Sequence, residues 1–356
     1  MNMREIARLA GVSSATVSRV ISGSGLVRED TARRVQKILD ESQFIPNPSA
    51  TTLKYGRSKT IGLIVPDISN GFFAEFVGAF EDLLIEIDHE VLLTSAQTPD
   101  KLLKSIRRML MRQVDGVVLM ASEFETEAVE PLLLKNVPIV TVDRRHARIG
   151  CSDVSIDYET GTQQAVQHLA SLGHSRIGYI AGLHGPHTTK VRAEAFAAAL
   201  RGAGLSFDPA LVRYGNYRIN GGESTVPSLM TIASPPTAIL TANDMTAFGA
   251  IQGLHRMGLS VPRDLSVIGV DDVVMSQVSQ PPLSTIRIPR RRMARLCLEA
   301  LDFSKDRVDQ LGTQLSIPTE LVVRESTAPP RCLHATSASR RSQATKKAKA
   351  TGSRNA

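Results

Sequence analysis

The chain lacks the features that mark secreted, membrane and zinc-ribbon proteins. Its three cysteines, Cys151, Cys297 and Cys332, form no C-x-x-C pair. This excludes a disulfide framework and favours a reducing compartment. It has no apolar run of about 18 residues and no apolar segment near its start of the kind that directs secretion. The sequence therefore predicts a cytoplasmic protein without a membrane-spanning helix.

Motifs of nucleotide-binding and hydrolytic enzymes are also missing. The sequence contains no G-x-G-x-x-G, G-x-x-x-x-G-K-[ST] or G-x-S-x-G pattern. The stretch SGSGLV has two glycines, but it has neither a preceding strand nor a third glycine. We therefore expect no catalytic residues and no cofactor, and an α/β enzyme is kept only as an alternative.

Positive charge is concentrated at the two ends of the chain. Residues 1–60 contain ten Lys/Arg and five Asp/Glu, and residues 331–356 contain seven Lys/Arg and no acidic residue. Residues 61–330 contain 25 Lys/Arg and 30 Asp/Glu. A basic head on a mildly acidic body indicates that the head alone binds a polyanion.

Residues 1–45 have the pattern of three short amphipathic helices, predicted at 3–10, 14–21 and 31–42. Their apolar positions are Ile6, Leu9, Ala10, Val17, Val20, Ile21, Val35, Ile38 and Leu39, with Phe44 and Ile45 closing the core. The connection AGVS supplies Gly11 for a turn and Ser13 as an N-cap. The pattern predicts a helix-turn-helix.

The second of these helices has small polar residues where longer ones would stabilise a helix better. Small side chains at the start of a recognition helix let its backbone approach the base edges in the major groove. Arg19 is a long donor suited to guanine or to a phosphate. The candidate DNA-binding residues are Ser13, Ser14, Ala15, Thr16, Ser18 and Arg19. The alternative is a three-helix cap with a solvated polar face.

Residues 46–60, PNPSATTLKYGRSKT, have the signals of a very short helix that Gly56 ends. Isolated helices need roughly 12–15 residues to be even marginally stable, so this segment should be disordered until a partner orders it. Its candidate DNA contacts are Asn47, Ala50, Leu53 and Lys54. An apolar Leu53 beside basic residues suits intercalation in the minor groove. A plain basic linker is the alternative.

Residues 61–330 alternate apolar, strand-like runs with amphipathic helices. The runs are TIGLIVP, EVLLTSA, GVVLMA and PIVTVD, then RIGYIAG, LVRYG, TAILTAN and LSVIGVD. This alternation is typical of parallel sheets with helices on both faces. The pattern restarts near residue 158, so we predict an α/β fold with two doubly wound subdomains.

Polar and aromatic side chains follow several of these strands, where open α/β sheets bind ligands. Carboxylates, amides and arginine exchange hydrogen bonds with hydroxyl groups, and aromatic rings stack on a sugar's apolar face. The candidate effector-binding residues are Asn70, Phe72, Phe73, Asp143, Arg192, Tyr217, Asn243 and Asp271. Each residue taken singly also fits a helix or loop cap, as Asn243 does in particular.

The loop HGPHTTKVR leaves further interpretations open. Its polar residues His184, His187, Lys190 and Arg192 suit an anionic effector such as a sugar acid or a phosphate. A metal site at the two histidines lacks a second group of ligands, so we expect no metal. His174 in LGHSRIG is expected to be a structural hydrogen-bonding residue.

Several stretches together resemble the LacI/GalR family of bacterial transcriptional regulators. They are IARLAGVSSATVSRVISG, VREDTARRV, FIPNPSATTLKYGRSKTIGLIVPDISNGFFAEF, DGVVLM, HLASLGHSRIGYIAG, TAILTANDMTAFGAI and VPRDLSVIGVDDV. The resemblance extends over about residues 3–330 and departs from the family pattern at Thr51 and Gly71. It implies a repressor that binds a near-palindromic double-stranded operator as a homodimer.

The resemblance also implies how the chain is divided and how it works. It implies a DNA-binding head (1–45), a hinge helix and linker (46–60) and an effector-binding and dimerisation body (61–330) similar to periplasmic binding proteins. Positions 14, 15 and 19 would read the operator, and Leu53 of each protomer would enter the minor groove. The candidate effector-binding positions coincide with the family's effector site.

The tail and one rival function complete the sequence-based expectations. Residues 331–356 have one large apolar residue, Leu333, and should be disordered. They contain no leucine heptads, so a dimer is expected rather than a tetramer. A solute-binding protein would share the two-subdomain body, but it would need a signal peptide and would have no use for residues 1–60.

Overall fold

The computed structural model describes residues 1–21, 23, 26–44, 56–120, 129–144, 146–301 and 310–331. The chain forms two compact units, Met1–Ser58 and Lys59–Ala356. The candidate DNA contacts of the hinge, Asn47, Ala50, Leu53 and Lys54, lie outside the described residues, as does the tail beyond residue 331.

The first unit consists of three helices, α1 (Met3–Ala10), α2 (Ser14–Ile21) and α3 (Glu29–Glu41). The first two have the predicted bounds. Helix α3 begins two residues before the predicted start, because Glu29 and Asp30 occupy its first turn. Acidic side chains are favourable there, next to the positive end of the helix dipole.

Among the described residues, the core of this unit is formed mainly by the predicted apolar residues, with one exception; the predicted core residue Ile45 lies outside the described residues. Its buried members are Ile6, Ala7, Ala10, Val17, Val35 and Leu39. The prediction for Leu9 is wrong, because its side chain is 55% exposed. On a helix, Ala7 lies beside Ile6 and Ala10 on the side away from Leu9, so burial of Ala7 rotates the core face and leaves Leu9 outside.

The second unit contains twelve strands and nine helices among its described residues. The strands are β1 (Thr60–Val65), β2 (Glu90–Ser95), β3 (Gly116–Leu119), β4 (Ile139–Val142), β5 (Cys151–Asp157), β6 (Ile177–Ala181), β7 (Val212–Tyr214), β8 (Ala238–Thr241), β9 (Ser266–Asp271), β10 (Ser284–Arg287), β11 (Gln314–Pro318) and β12 (Glu320–Val322). The helices are α4 (Gly71–Glu86), α5 (Pro99–Met111), α6 (Glu130–Leu133), α7 (Tyr158–Ser171), α8 (His187–Gly202), α9 (Ile219–Met230), α10 (Asp244–Arg256), α11 (Met275–Val278) and α12 (Arg290–Ala300).

The strands form two six-stranded sheets, which define the first and the second subdomain. The first sheet has the order β11-β5-β4-β3-β1-β2 and is parallel throughout. The second has the order β12-β10-β9-β8-β6-β7 and is parallel except for its edge strand β12. All eight predicted strands are present, and β5, β10, β11 and β12 are additional.

Each sheet is buried on both faces. Leu63 and Val65 of β1 belong to one hydrophobic cluster, whereas the intervening Ile64 belongs to another. Tyr179 and Ile180 of β6 likewise belong to two different hydrophobic clusters. Because alternate residues of a strand point to opposite faces, this confirms the doubly wound architecture. No helix in the described part of the chain is long and apolar enough to cross a bilayer.

The chain passes between the two subdomains three times, at residues 157–158, 287–290 and 318–320. After the second subdomain is largely built, α12 packs against α4 and β5, and β11 joins the first sheet. The predicted restart near residue 158 marks only the first of these passages. Sequence periodicity does not reveal the later return of the chain.

Candidate functional site

The start of α2 is fixed by a hydroxyl cap. The Ser13 Oγ accepts a hydrogen bond from the Thr16 backbone N–H at 3.2 Å and lies 3.0 Å from the Thr16 hydroxyl. Gly11, with φ +62°, makes the preceding turn. Val17 is fully buried and anchors the helix to the core. The predicted N-cap role of Ser13 is confirmed.

The remaining candidate DNA contacts lie on the outer side of α2. Ser13, Ala15 and Arg19 are exposed, and Ser14, Thr16 and Ser18 are half-buried. This surface has only small side chains near its start and one long cation farther along. Its shape lets the helix backbone approach a duplex closely, as readout in the major groove requires.

In the second unit, a polar chain connects the two subdomains through Arg192. Arg192 donates from Nη1 to the carbonyl of Ala242 and from Nη2 to the Tyr158 hydroxyl at 2.7 Å. The Tyr158 hydroxyl in turn donates to Asp143 Oδ2 at 3.0 Å. The buried Nε of Arg192 has no hydrogen-bond partner among the described residues. The Nε of Arg192 is thus a buried donor without a partner in the described part of the chain.

Tyr217 packs against the end of β6 beside Arg192. Its ring centroid lies 5.6 Å from the guanidinium carbon of Arg192, and its hydroxyl lies 2.8 Å from Thr189 Oγ1. Gly182 makes this position possible, because a Cβ there would lie only 1.9 Å from the Tyr217 ring. Tyr217 therefore presents an aromatic surface next to a hydrogen-bond donor.

Asn243 joins this cluster and also caps a helix. Its Oδ1 accepts from the backbone N–H of Thr246 at 3.0 Å and from the Thr246 hydroxyl at 2.6 Å. Its Nδ2 donates to the Tyr217 carbonyl at 3.0 Å. The side chain is 2% exposed. The simple interpretation of Asn243 as the N-cap of α10 is thus correct, and its role in ligand binding stays a prediction.

Two buried carboxyl groups lie at the end of β9. Burial and the neighbouring charge of Asp244 raise the pKa of Asp271 well above its ordinary value. Burial raises the pKa of Asp244 to about 6, although it accepts hydrogen bonds from Ser276 and Thr285. Burial also raises the pKa of Tyr158. Asp271 and Tyr158 therefore favour their neutral forms, which suit hydrogen bonding to an uncharged ligand.

Four of the nine non-glycine residues with positive φ among the described residues lie at the same place. Asp143, Tyr217, Asp271 and Asp272 have φ values of +64°, +61°, +122° and +56°. Left-handed conformations of residues other than glycine cost on the order of 1–3 kcal/mol each and are frequent at functional sites. Three of these residues are candidate effector-binding residues.

The structure brings together five of the eight candidate effector-binding residues: Asp143, Arg192, Tyr217, Asn243 and Asp271. The other three lie at the start of α4. Asn70 accepts from the Phe72 N–H at 3.0 Å and caps this helix. Phe72 is 6% exposed within the core, and Phe73 packs edge-on against it at 5.3 Å. Their contact with an effector stays a prediction.

Sequence reasoning missed Tyr158, which links Asp143 to Arg192. Tyr158 begins α7 immediately after β5, and the sequence CSDVSID of β5 is too polar to stand out as a strand. The pair Asp157-Tyr158 was the available signal, because an aspartate is a common N-cap and predicts the start of a helix. In the structure, Asp157 caps α7 by accepting from the backbone N–H groups of Glu159 and Thr160.

Two further contacts join the subdomains. Arg218, at the start of α9, forms an ion pair with Asp67, which follows β1. Glu75 of α4 accepts from the backbone N–H of Val274 at 2.8 Å and pairs with Arg290 at 2.8 Å. These contacts hold the strand ends of the two sheets in their present arrangement.

The histidines of the second subdomain have separate environments. His184 lies edge-on to Tyr214 with ring centroids 4.7 Å apart. The described residues contain no group of three or more His, Cys, Asp and Glu side chains able to hold a metal. His174 is 2% exposed and lies 2.9 Å from both the Thr237 hydroxyl and the Ala328 carbonyl. The predicted structural role of His174 is confirmed.

Two parts of the chain match known protein families. Residues 2–47 match the family described as "Bacterial regulatory proteins, lacI family". Residues 166–327 match the family described as "Periplasmic binding protein-like domain". The first match contains α2, and the second contains Arg192, Tyr217, Asn243 and Asp271.

Individual proteins are similar over three quarters or more of the chain. Catabolite control protein A of Priestia megaterium is 33% identical over 327 residues, which cover 91% of this chain and 98% of the relative. A lac repressor dimer bound to operator and the anti-inducer ONPF has a TM-score of 0.80 at 25% identity, covering 92% and 99% of the two chains. An Enterococcus faecium regulator with bound ribose has a TM-score of 0.67 at 29% identity, covering 76% and 100%.

Proposed function

Because the chain belongs to the lacI family of bacterial regulatory proteins, which are DNA-binding transcriptional regulators and not enzymes, we propose that it is a repressor controlled by a small carbohydrate. The effector would bind between the subdomains at the cluster of Arg192, Tyr217, Asn243, Asp143 and Asp271. The operator would be a near-palindrome that a homodimer contacts through α2.

The chemistry around Arg192 supports a neutral polyol as the effector. Arg192 lies close to Asp143 and Asp271, and carboxyl groups beside a guanidinium exchange hydrogen bonds with ligand hydroxyls, so the cluster suits a polyol. The unpartnered, buried Nε of Arg192 would donate to a ligand hydroxyl once the side chains around it move apart, and the Tyr217 ring would pack on the apolar face of a sugar. A related regulator has bound ribose, which fits this class of ligand.

Control of DNA binding would follow from the contacts between the subdomains. A ligand shifts a conformational equilibrium only by the difference in its affinity for the two states. We infer that the effector favours one arrangement of the Asp67–Arg218 and Glu75–Val274 contacts over the other. In the dimer, this change would alter the spacing of the two hinge segments and so the formation of their helices on DNA.

Gel-shift titration with the duplex upstream of the protein's own gene tests the DNA-binding part. A random duplex serves as competitor, and each titration is repeated with ribose and other sugars. We expect specific binding that one class of sugar changes. A protein that prefers no duplex over random competitor, with or without sugars, contradicts the proposal.

The hinge is tested by Leu53→Ala, a position assigned from sequence alone. Removing an apolar wedge from the minor groove should weaken operator binding far more than non-specific binding, because non-specific binding depends mainly on phosphate contacts. Lys54→Ala is the comparison variant, and it should weaken both kinds of binding. Equal losses for Leu53→Ala on the two DNAs contradict the wedge.

A further inference from the structure

Two side chains of the first subdomain hold the segment that follows β9 in the second. Glu75 lies in α4, and Arg290 begins α12, which packs against α4 directly after the second passage of the chain. The two form an ion pair at 2.8 Å between Glu75 Oε2 and Arg290 Nη2. We call these two residues the β9 clamp, because both bind the backbone where the chain leaves β9.

The β9 clamp makes three hydrogen bonds to main-chain atoms of this segment. Arg290 donates from Nη1 to the Asp271 carbonyl at 2.7 Å and from Nη2 to the Asp272 carbonyl at 2.8 Å. Glu75 Oε1 accepts from the backbone N–H of Val274 at 2.8 Å. A guanidinium suits two successive carbonyls, because its N–H donors lie in one rigid plane. The β9 clamp therefore fixes the backbone beside Asp271 and leaves the Asp271 carboxyl for other contacts.

The segment depends on such support because its backbone conformation is unfavourable. Asp271 and Asp272 have φ values of +122° and +56°. Residues other than glycine stay in this region only where the surrounding structure holds them there. Asp244 of the second subdomain holds the next residue by accepting from the Val273 N–H at 3.0 Å. The carbonyls of the two left-handed residues, in contrast, are bound by an arginine that packs with the first subdomain.

The β9 clamp is better shielded from water than the Asp67–Arg218 ion pair, which also joins the subdomains. The side chains of Arg290 and Glu75 are 18% and 25% exposed, whereas that of Arg218 is 55% exposed. Solvent screens an exposed ion pair, so such a pair contributes little to holding two parts of a protein together. Charge-assisted hydrogen bonds in a shielded place are stronger. We therefore expect the β9 clamp to dominate.

We propose that Glu75 and Arg290 are positioning residues for Asp271, whose carboxyl is a candidate effector contact. Because Asp271 belongs to the second subdomain, its side chain has this orientation only while the first subdomain holds the β9 exit. A carbohydrate that contacts Asp271 therefore binds the arrangement with the clamp engaged more tightly and shifts the equilibrium toward it. This direction of the shift rests on the proposed function, whereas the hold of the clamp on the backbone does not.

Hydrogen–deuterium exchange of the full-length protein, without sugar or DNA, tests the clamp. Arg290 binds carbonyl groups here, so exchange of the N–H groups of residues 272–274 reports the mobility of the segment rather than the loss of a direct bond. We expect Arg290→Gln to accelerate this exchange about tenfold. Arg290→Lys, which keeps the charge but not the planar set of donors, should accelerate it less.

Arg291→Gln is the matched control, because Arg291 is the next residue of α12 and forms an exposed ion pair with Glu86. It should leave the exchange unchanged. The proposal is overturned if Arg290→Gln exchanges at the wild-type rate, or if Arg291→Gln accelerates exchange as much. Equal acceleration in β8 (Ala238–Thr241) also overturns it, because a general loss of stability would then explain the effect.

Calorimetric titration with ribose measures the consequence for the ligand. Arg290→Gln should weaken ribose binding about tenfold although Asp271 is still present, and Arg291→Gln should not change it. A variant whose segment is mobile but whose ribose affinity equals that of the wild type overturns the positioning role. If the wild-type protein itself binds no ribose, the choice of ligand under the proposed function fails, and the exchange experiment still decides whether the clamp exists.

Discussion

The two candidate sites use their residues in opposite ways. On α2, the candidate DNA contacts lie on an exposed or half-buried surface, while the separate residue Val17 holds the helix in place. Around Arg192, the residues proposed to bind ligand are themselves part of the framework. Asn243 caps α10, and Asp143 and Tyr217 adopt strained left-handed conformations.

This difference determines how separable stability and function are. Apart from Ser13, which caps α2, exposed residues on the outer surface of this helix such as Ala15 and Arg19 are replaceable with little effect on the fold. In the cluster around Arg192, each substitution alters hydrogen bonds that hold strand ends and helix starts together. The following predictions are ordered by the expected change in the free energy of unfolding.

The largest change is expected for Asn243→Ala. The substitution removes the cap of α10 and leaves the Thr246 N–H and the Tyr217 carbonyl without partners, which should cost about 2–4 kcal/mol. Urea unfolding followed by circular dichroism measures the loss. Asn243→Asp keeps the cap acceptor and should lose less. A loss below that of surface substitutions would show that the framework role is minor.

A smaller loss of about 1–3 kcal/mol is expected for Arg192→Gln, which removes hydrogen bonds to the Ala242 carbonyl and the Tyr158 hydroxyl. Any response of operator binding to sugars should disappear as well. Thermal unfolding and gel shifts with and without sugar measure the two effects. Lys190→Gln, two residues away and exposed, is the control. Loss of sugar response without loss of stability would break the comparison.

His174 is a buried polar residue to which we assign no role in ligand binding. Burial lowers the pKa of His174, so the folded protein disfavours the protonated ring. Stability contributed by the neutral ring is present above pH about 6.5 and is lost as the pH falls below that value. His174→Gln should reduce this loss, and the exposed His255→Gln should not. The urea concentration at the midpoint of unfolding is measured from pH 7.5 to pH 5.5, which is roughly one unit on either side of the ordinary histidine pKa.

The smallest change in stability, below about 0.5 kcal/mol, is expected for Arg19→Ala on the surface of α2. Its effect on DNA should be much larger, with relaxed preference at one base pair of each half-site. Binding to a set of operator variants distinguishes two outcomes. Weaker binding by a similar factor on every sequence would make Arg19 a phosphate contact, and no change on any sequence would remove it from the interface.

The fold could be predicted from sequence where burial produces a regular pattern. The eight apolar strands and the bounds of α1 and α2 follow directly from such patterns. The strand β5 could not be predicted in this way, because it contains polar side chains. Ser152 and Asp153 are buried in the interior, where hydrogen bonds satisfy their polar atoms. The prediction that Leu9 is buried was wrong because the small residue Ala7 occupies the buried side of α1 instead.

The cluster around Arg192 could be predicted only in part. Arg192, Asn243 and Asp271 were identified because strand ends collect ligand-binding groups in open α/β sheets. Tyr158 was not, because its place depends on an unrecognised strand. The dual use of Asn243 also shows why single residues are ambiguous, since an amide that caps a helix and one that contacts a ligand occupy the same position in the sequence.

The three passages of the chain between the sheets have a consequence for synthesis on the ribosome. The first sheet receives its edge strand β11 only after all but the last strand of the second sheet has been made. A nascent chain that stops before Gln314 therefore leaves the β5 backbone groups that β11 would cover exposed to other chains. Neither subdomain is complete until β11 and β12 have been synthesised. A frameshift late in the coding sequence would therefore damage the first subdomain, although most of it is translated first.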